Sequence, residues 1–515
     1  MKPRQVEKAK QCVMKVMGVH TGFNWTQPYI EVEEFQAGGT AFFVNPKDLG
    51  NFPSSTRCRY LLTNFHVVDS VKSKTVELCY PSKGYNKLNA SILHVVPGLD
   101  VAILQIDPNE EHPSWRDGGS IHEFLEGIPN LSLNKNAIKG NSQEIIAIGF
   151  PSLSADVQLC GGKISGRGLG MIQCNISFNG GNSGGPLMSN NKVIGICTAS
   201  EAEAEAIGLA VPINQILRFF KYWTTFDTQL VQLPSWGVNL QILTEDYLNY
   251  HNINDMQGVL VRKAVKDQSC DTAGLKENDI ILGINNSTGR YNIDYDGLVK
   301  VEWTNKRVPI TNEEFIMSLD PDTIEFVIYQ HRTKKRVTLK VQPHVIDFQT
   351  REKFHCWEDI EHVTFGGCVF MNLSMNHMED DEEGEMPIHY SQCVTITNLI
   401  KKNMNMDHIV VCTHIPGQTY LDTQRNLLPF DIVKKVNKTT VKNISHFREL
   451  IGKLAKNIDN KRYAVLETER TKVYIDLQKI AAQEVVLGLK FPNQAFITNI
   501  GRTRKRKRRV LMNMS

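Results

Sequence analysis

The hydrophobic pattern of this chain changes character along its length. Residues 1–17 set apolar side chains at Val6, Ala9, Val13, Met14 and Met17 among charged neighbours, a spacing that predicts a leading helix. From His20 to about Leu187 the apolar residues come in short runs instead. These include Ala41-Phe42-Phe43-Val44, Tyr60-Leu61-Leu62-Thr63, Val101-Ala102-Ile103-Leu104 and Ile145-Ile146-Ala147-Ile148. Gly, Pro, Asn and Ser clusters separate the runs, so the region reads as many short strands with little helix, a sandwich or barrel. Val211–Trp223 returns to helical spacing and closes the region as one amphipathic helix. Leu233-Pro234-Ser235 follows as a short linker.

At 515 residues the chain exceeds a single core, and about two to four domains are expected. No apolar run approaches the roughly 20 residues that span a bilayer. The first ten residues are charged where a signal peptide is apolar. The expectation is a soluble, intracellular protein without membrane contact. Its 11 cysteines are odd in number, scattered from Cys12 to Cys412, and include no C-x-x-C pair. That pattern offers neither a disulfide framework nor a zinc site, so most should be small buried hydrophobes, with no metal or other cofactor. Charge is placed unevenly. Residues 501–510 carry seven basic and no acidic side chains against a net charge of +3, which leaves the rest of the chain mildly acidic.

The densest candidate chemistry lies in Phe178-Asn179-Gly180-Gly181-Asn182-Ser183-Gly184-Gly185-Pro186-Leu187. A serine between glycines, ahead of the apolar run Val193-Ile194-Gly195-Ile196, asks for a tight turn feeding a buried strand. In such a turn the backbone N–H groups of Gly181 and Ser183 point at one spot beside the hydroxyl, with Asn182 between them, as an oxyanion hole beside a nucleophile requires. A base and an orienting acid are available upstream. His66 ends the apolar strand Leu61-Leu62-Thr63 in Thr63-Asn64-Phe65-His66-Val67-Val68, and Asp100 begins Asp100-Val101-Ala102-Ile103-Leu104. A buried carboxylate there needs a partner. Separately, a histidine after a strand is usually structural and a strand-initial aspartate usually caps a turn. The order His, Asp, Ser, at intervals of 34 and 83 residues, favours the chemical reading. His94 is a rival base, but Leu93-His94-Val95-Val96 reads as mid-strand.

T-N-x-H-V-V, D-V-A-I-L and G-N-S-G-G-P-L, in that order, closely resemble the trypsin-like serine proteases of the Deg/HtrA family. Gln173–Asn179 and Ile207–Pro212 resemble the same family. The resemblance implies a double β-barrel with His66 as general base, Asp100 as orienting acid and Ser183 as nucleophile. One departure is Asn175, where the family often has Asp, a position outside the triad. Cleavage after Lys or Arg needs a buried carboxylate six residues before the nucleophile, where this chain has Ser177. With Phe178, Ile207 and Leu209, Ser177 is expected to form an uncharged pocket for small or medium apolar side chains.

Downstream, Ala273-Gly274-Leu275-Lys276-Glu277-Asn278-Asp279-Ile280-Ile281-Leu282-Gly283-Ile284-Asn285 resembles a PDZ domain, opened by a peptide-binding loop at Trp236-Gly237-Val238-Asn239. The long Asn286–Arg307 segment resembles the insertion in plant nuclear or organellar Deg proteases. Phe430–Val441 repeats the D-I-I-x-x-I-N pattern, with Phe365-Gly366-Gly367-Cys368 as a second carboxylate-binding turn and His446–Leu454 as its flanking helix. This resembles a degenerate second PDZ domain, which in the plant subgroup implies trimers, hexamers or higher homo-oligomers. The expected organisation is mainly β: a trypsin-like double β-barrel protease domain over 1–232, followed by two PDZ-like α+β domains over 233–345 and 346–485. A basic extension over 486–515 completes it. The acidic run Glu379–Glu385 reads as a solvated loop, since contiguous charges lack the spacing of a calcium loop. Arg504–Arg509 reads as a nuclear import signal met by an import receptor, or as a nucleic-acid tether, and with it comes an expected location in nucleus or cytoplasm.

With no phosphate loop, the leading reading is an ATP-independent serine endopeptidase acting on unfolded or misfolded proteins. Peptide ligands at the first PDZ domain would regulate it. The alternative is a non-catalytic chaperone or PDZ scaffold that keeps the protease fold.

Overall fold

The computed structural model describes residues 3–49, 59–80, 86–106, 124–136, 142–168, 170–200, 207–222, 228–253, 256–301, 306–378, 390–403, 406–456 and 462–490. The leading helix is shorter than the periodicity predicts: α1 covers Pro3–Lys10, and Val13–Thr21 is a strand, β1. From Met14 the side chains alternate buried and less buried through His20, and two of them, Val16 and Val19, are β-branched. A period of two with branched residues suits a barrel strand better than a second and third helical turn.

β1 joins β2 (Glu34–Val44), β3 (Arg59–Thr63), β4 (Thr75–Tyr80), β5 (Asn86–Val96) and β6 (Val101–Ile106) in a closed barrel of order β1-β2-β3-β6-β5-β4. The fully apolar runs of β2, β3 and β6 lie side by side, and Phe42, Leu61, Leu62, Ile103 and Leu104 are fully buried. A second closed barrel has order β10-β11-β12-β9-β8-β7. Its strands are β7 (Glu144–Gly149), β8 (Gln158–Gly168), β9 (Met171–Cys174), β10 (Pro186–Ser189), β11 (Lys192–Ser200) and β12 (Gly208–Pro212). The expected amphipathic helix is α2, Ile213–Tyr222, whose Ile213, Ile216, Phe219 and Phe220 are buried.

A third sheet has order β13-β14-β15-β19-β20 with β16 alongside β15. It comprises β13 (Val238–Ile242), β14 (Val259–Ala264), β15 (Ile280–Asn286), β16 (Gly289–Asn292), β19 (Glu325–Gln330) and β20 (Lys335–Lys340). The long segment after Asn286 contributes β16 and a separate two-stranded sheet, β17 (Leu298–Val301) with β18 (Lys306–Pro309). The helices here are α3 (Glu245–Tyr250), α4 (Ser269–Thr272) and α5 (Glu313–Ser318). Met317 of α5 joins the apolar cluster that holds Phe219 and Phe220 of α2. The barrels and this sheet form one compact unit, residues 1–20 with 34–346. The sequence boundary expected near 232 therefore falls inside it.

The second unit holds residues from 347 onward together with 21–33, the segment that links β1 to β2. Within this unit, Thr413 Oγ1 donates to the Thr26 carbonyl at 2.9 Å, and a His355 ring nitrogen lies 3.0 Å from the Thr21 carbonyl. Phe23 stacks on His355, and Trp25 meets His377 edge-on. Its sheets are β21 (His362–Phe365), β22 (Cys368–Asn372) and β23 (Val410–His414), then β24 (Val433–Val436), β25 (Thr439–Thr440), β26 (Tyr463–Thr468) and β27 (Lys472–Asp476) in the order β25-β24-β26-β27. Helices α6 (Tyr390–Asn403), α7 (Tyr420–Gln424), α8 (Ile444–Lys456) and α9 (Leu477–Lys490) complete it. The acidic run 379–385 and the basic run 501–510 lie outside the described residues.

Among the described residues no helix is long and apolar enough to cross a membrane. None of the described cysteines is disulfide-bonded, and burial pushes the thiols of Cys12, Cys174 and Cys270 up to about 12. Such thiols carry little thiolate and act as small hydrophobes.

Candidate active site

Antiparallel pairing of Thr63 with Ala102 sets the turn after β3 against the residue before β6. His66 and Asp100 meet there. His66 Nδ1 lies 2.9 Å from Asp100 Oδ2 and 3.0 Å from Oδ1, and the His66 backbone N–H donates to Oδ1 at 3.0 Å. An ionised carboxylate can only accept, so Nδ1 carries the imidazole proton and Nε2 is left as the basic nitrogen. Thr198 Oγ1 on β11 also donates to Asp100 Oδ2. Asp100 is left-handed at φ 47°, and its N–H donates to the Pro97 carbonyl at 2.9 Å. Partial desolvation pulls the His66 imidazole down. The Asp100 hydrogen bond and charge, with Asp69 behind them, outweigh it and raise the pKa above 6.5.

The serine turn runs from the end of β9 into β10. Gly181 and Gly184 have φ of +95° and +84°. A Cβ on Gly181 would come 2.2 Å from the Phe150 carbonyl oxygen, and one on Gly184 would come 2.0 Å from that of Thr40. Only glycine fits either place. Thr40 braces the turn: its N–H donates to the Ser183 carbonyl at 2.8 Å and its hydroxyl to the Gly181 carbonyl at 2.7 Å. The Asn182 N–H is used by the Asn179 carbonyl at 3.0 Å, whereas those of Gly181 and Ser183 have no hydrogen-bond partner among the described residues. Ser183 Oγ donates to the Thr198 carbonyl at 2.8 Å. Thr198 thus touches both the acid and the serine.

Of the residues expected around a specificity pocket, Ser177 is exposed and Ile207 and Leu209 are half-buried. Phe178 belongs to the core of the second barrel and lies so close to Gly208 that a Cβ there would sit 2.8 Å from its ring. Asn175 Oδ1 accepts from the Lys163 N–H at 2.6 Å, a role an aspartate oxygen fills equally. The rival base His94 is engaged elsewhere, its Nδ1 lying 2.9 Å from the Thr228 carbonyl. In the expected PDZ loop Trp236 is a core anchor, buried and donating its indole N–H to the Ile310 carbonyl at 2.9 Å. Gly237 is left-handed at φ +63°, and Val238 and Asn239 begin β13, the edge of its sheet. Sequence reasoning passed over Thr40, Asn64 and Thr198. Asn64 sits inside the histidine motif, but Thr198 merely follows an apolar run, and no spacing rule marks it. Among the described residues no group of three or more His, Cys, Asp or Glu is placed to hold a metal.

Residues 39–196 match the family described as trypsin-like peptidase domain, and residues 355–491 match the PDZ domain family. The chain is 24% identical over 502 residues to "Protease Do-like 4, mitochondrial" of Arabidopsis thaliana, covering 92% of this chain and 85% of the relative. Over 265 residues it is 26% identical to "Probable periplasmic serine endoprotease DegP-like" of Hahella chejuensis, covering 49% of each. These names place the relatives in mitochondria or the periplasm, which overturns the expectation of a nuclear or cytoplasmic protein and the import-signal reading of the basic tail. With a trypsin-like peptidase domain over 39–196, a PDZ domain over 355–491 and relatives named as Do-like and DegP-like proteases, the chain is a serine protease similar to the Deg/HtrA proteins.

Proposed function

We propose that this protein is an ATP-independent endopeptidase for unfolded or misfolded polypeptides, working through an acyl-enzyme on Ser183 with His66 as base and Asp100 as orienting acid. The observation that carries the reading is the His66–Asp100 contact, which assigns the proton to Nδ1 and leaves Nε2 to take one from a hydroxyl. As Ser183 attacks a peptide carbonyl, its proton passes to His66, and Asp100 stabilises the imidazolium. The Gly181 and Ser183 amides receive the oxyanion, a contribution of about 10²–10³ in turnover for one such donor. The imidazolium then protonates the leaving amine, and water repeats the sequence to release the acyl group. In the resting arrangement the Ser183 hydroxyl donates to the Thr198 carbonyl, so it turns toward His66 when substrate is bound.

Ser177, Ile207 and Leu209 bring no acidic side chain to the specificity pocket, which favours small or medium apolar residues before the cleaved bond. Peptide ligands adding to β13 of the first PDZ domain, and assembly into homo-oligomers, regulate access. The test is degradation of casein by the wild type beside Ser183→Ala. Loss of activity in the variant is expected; an active Ser183→Ala protein rejects Ser183 as the nucleophile, and a wild type without activity favours a chaperone or scaffold.

A further inference from the structure

Between the aspartate and the serine lies one buried side chain that touches neither reacting group directly. Asn64 is fully buried at the end of β3. Its Nδ2 donates to the Asp100 carbonyl at 2.9 Å, and its Oδ1 accepts from the Gly184 N–H at 2.5 Å. The partners fix the amide's orientation, because a carbonyl can only accept and a backbone N–H can only donate. Both backbone groups belong to left-handed residues, Asp100 at φ 47° and Gly184 at φ 84°. For a non-glycine residue that conformation is strained and persists only where its surroundings enforce it. The Gly184 N–H also reaches the Cys197 carbonyl at 2.9 Å, and Cys197 precedes Thr198.

We infer that Asn64 is a positioning residue: one amide clamps the backbone of Asp100 to the backbone beside Ser183, holding acid and nucleophile in register across the two barrels. The reach of the contact explains the residue type. Aspartate would keep the acceptor for Gly184 but present an oxygen to the Asp100 carbonyl in place of a donor. Serine or alanine would remove the donor to the Asp100 carbonyl and leave the Gly184 N–H with the Cys197 carbonyl alone. Leucine would match the volume and satisfy neither. The inference rests on the triad reading above.

The test is a steady-state comparison of wild type with Asn64→Ala and Asn64→Asp on an apolar peptide substrate. Rates are normalised to the fraction folded by circular dichroism. The expected result is a fall in kcat of about 10²-fold with KM changed less than threefold, the scale on which small misplacements of reacting groups act. The acidic limb of kcat/KM is also expected to move down toward pH 6.5, because a loosened Asp100 no longer raises His66. A purely structural role would lower the melting temperature and leave kcat per folded molecule and the limb unmoved, and that result overturns the inference. Diisopropyl fluorophosphate labelling of the wild type is run beside it. Absence of label at Ser183 rejects the triad reading and the clamp together, whereas label at Ser183 with unaltered Asn64 variants rejects the clamp alone.

Discussion

At the scale of single residues the site is a matter of proton placement. The carboxylate of Asp100 puts the imidazole proton on Nδ1, and its charge, with that of Asp69, raises the His66 pKa against the desolvation that would lower it. A raised pKa keeps His66 charged, and unable to accept a proton, to a higher pH than a free imidazole. Hydrolysis therefore rises with pH through a midpoint above 6.5, which a kcat/KM profile from pH 5 to 9 measures. Asp100→Asn should lower kcat by about 10⁴, through loss of the right tautomer and of imidazolium stabilisation. His66, Asp100 and Ser183 were legible as candidates because each sits in a local pattern: a strand end, a strand start and a glycine turn. Thr198 and Thr40 were not. Thr198 meets Asp100 across 98 positions and Thr40 meets Gly181 across 141. Such contacts exist only once the barrels close.

Among the elements, the short β-runs were readable and the first helix was not. Val13–Thr21 mixes two periods, and barrel closure decides for the strand. The placement of 21–33 with the second unit had no signal either, since Phe23 and Trp25 look like ordinary loop aromatics until His355 and His377 face them. α9 offers a sharper case. Its Glu484 is buried and accepts from the Gly366 N–H at 2.8 Å, at the turn read as a second carboxylate-binding loop. Ile480 and Leu487 crowd Gly366 and Gly367, so that a Cβ on either glycine would lie within 2.8 Å of them. Desolvation raises the Glu484 pKa to about 8, and the Gly366 N–H offsets it only in part. Because the folded pKa lies above the unfolded value of 4.5, this stability is full below pH 4.5 and is lost as pH rises through about 8. Glu484→Gln keeps an acceptor for Gly366 but cannot ionise. Thermal melts between pH 5 and 9 should show a falling melting temperature for the wild type and a flatter profile for the variant. Identical profiles would place the titration elsewhere.

For the whole molecule, the fold class and the succession of protease and PDZ-like parts were readable because each part carries its own glycine and apolar motifs. How the chain divides into compact units was not, because a cut near 232 follows composition while the structure joins the first PDZ-like sheet to the barrels through the α2 and α5 cluster. On the proposed peptide-binding reading, a ligand would add as a strand to β13, which lies at the edge of its sheet, with its terminal carboxylate at the left-handed turn of Gly237. Calorimetric titration with an apolar peptide should show at least tenfold weaker binding for its amidated form than for the free acid. Equal affinities would move the binding site away from this turn.

The proposed function turns on a covalent acyl-enzyme at Ser183. Its direct measurement is intact-mass analysis, with peptide mapping, of the protein quenched in acid during turnover of an activated ester. One added acyl mass is expected on the peptide carrying Ser183, with slower accumulation in Asp100→Asn and none in Ser183→Ala. An acyl mass on another residue, or turnover without any adduct in the Asp100→Asn and wild-type proteins alike, would contradict it.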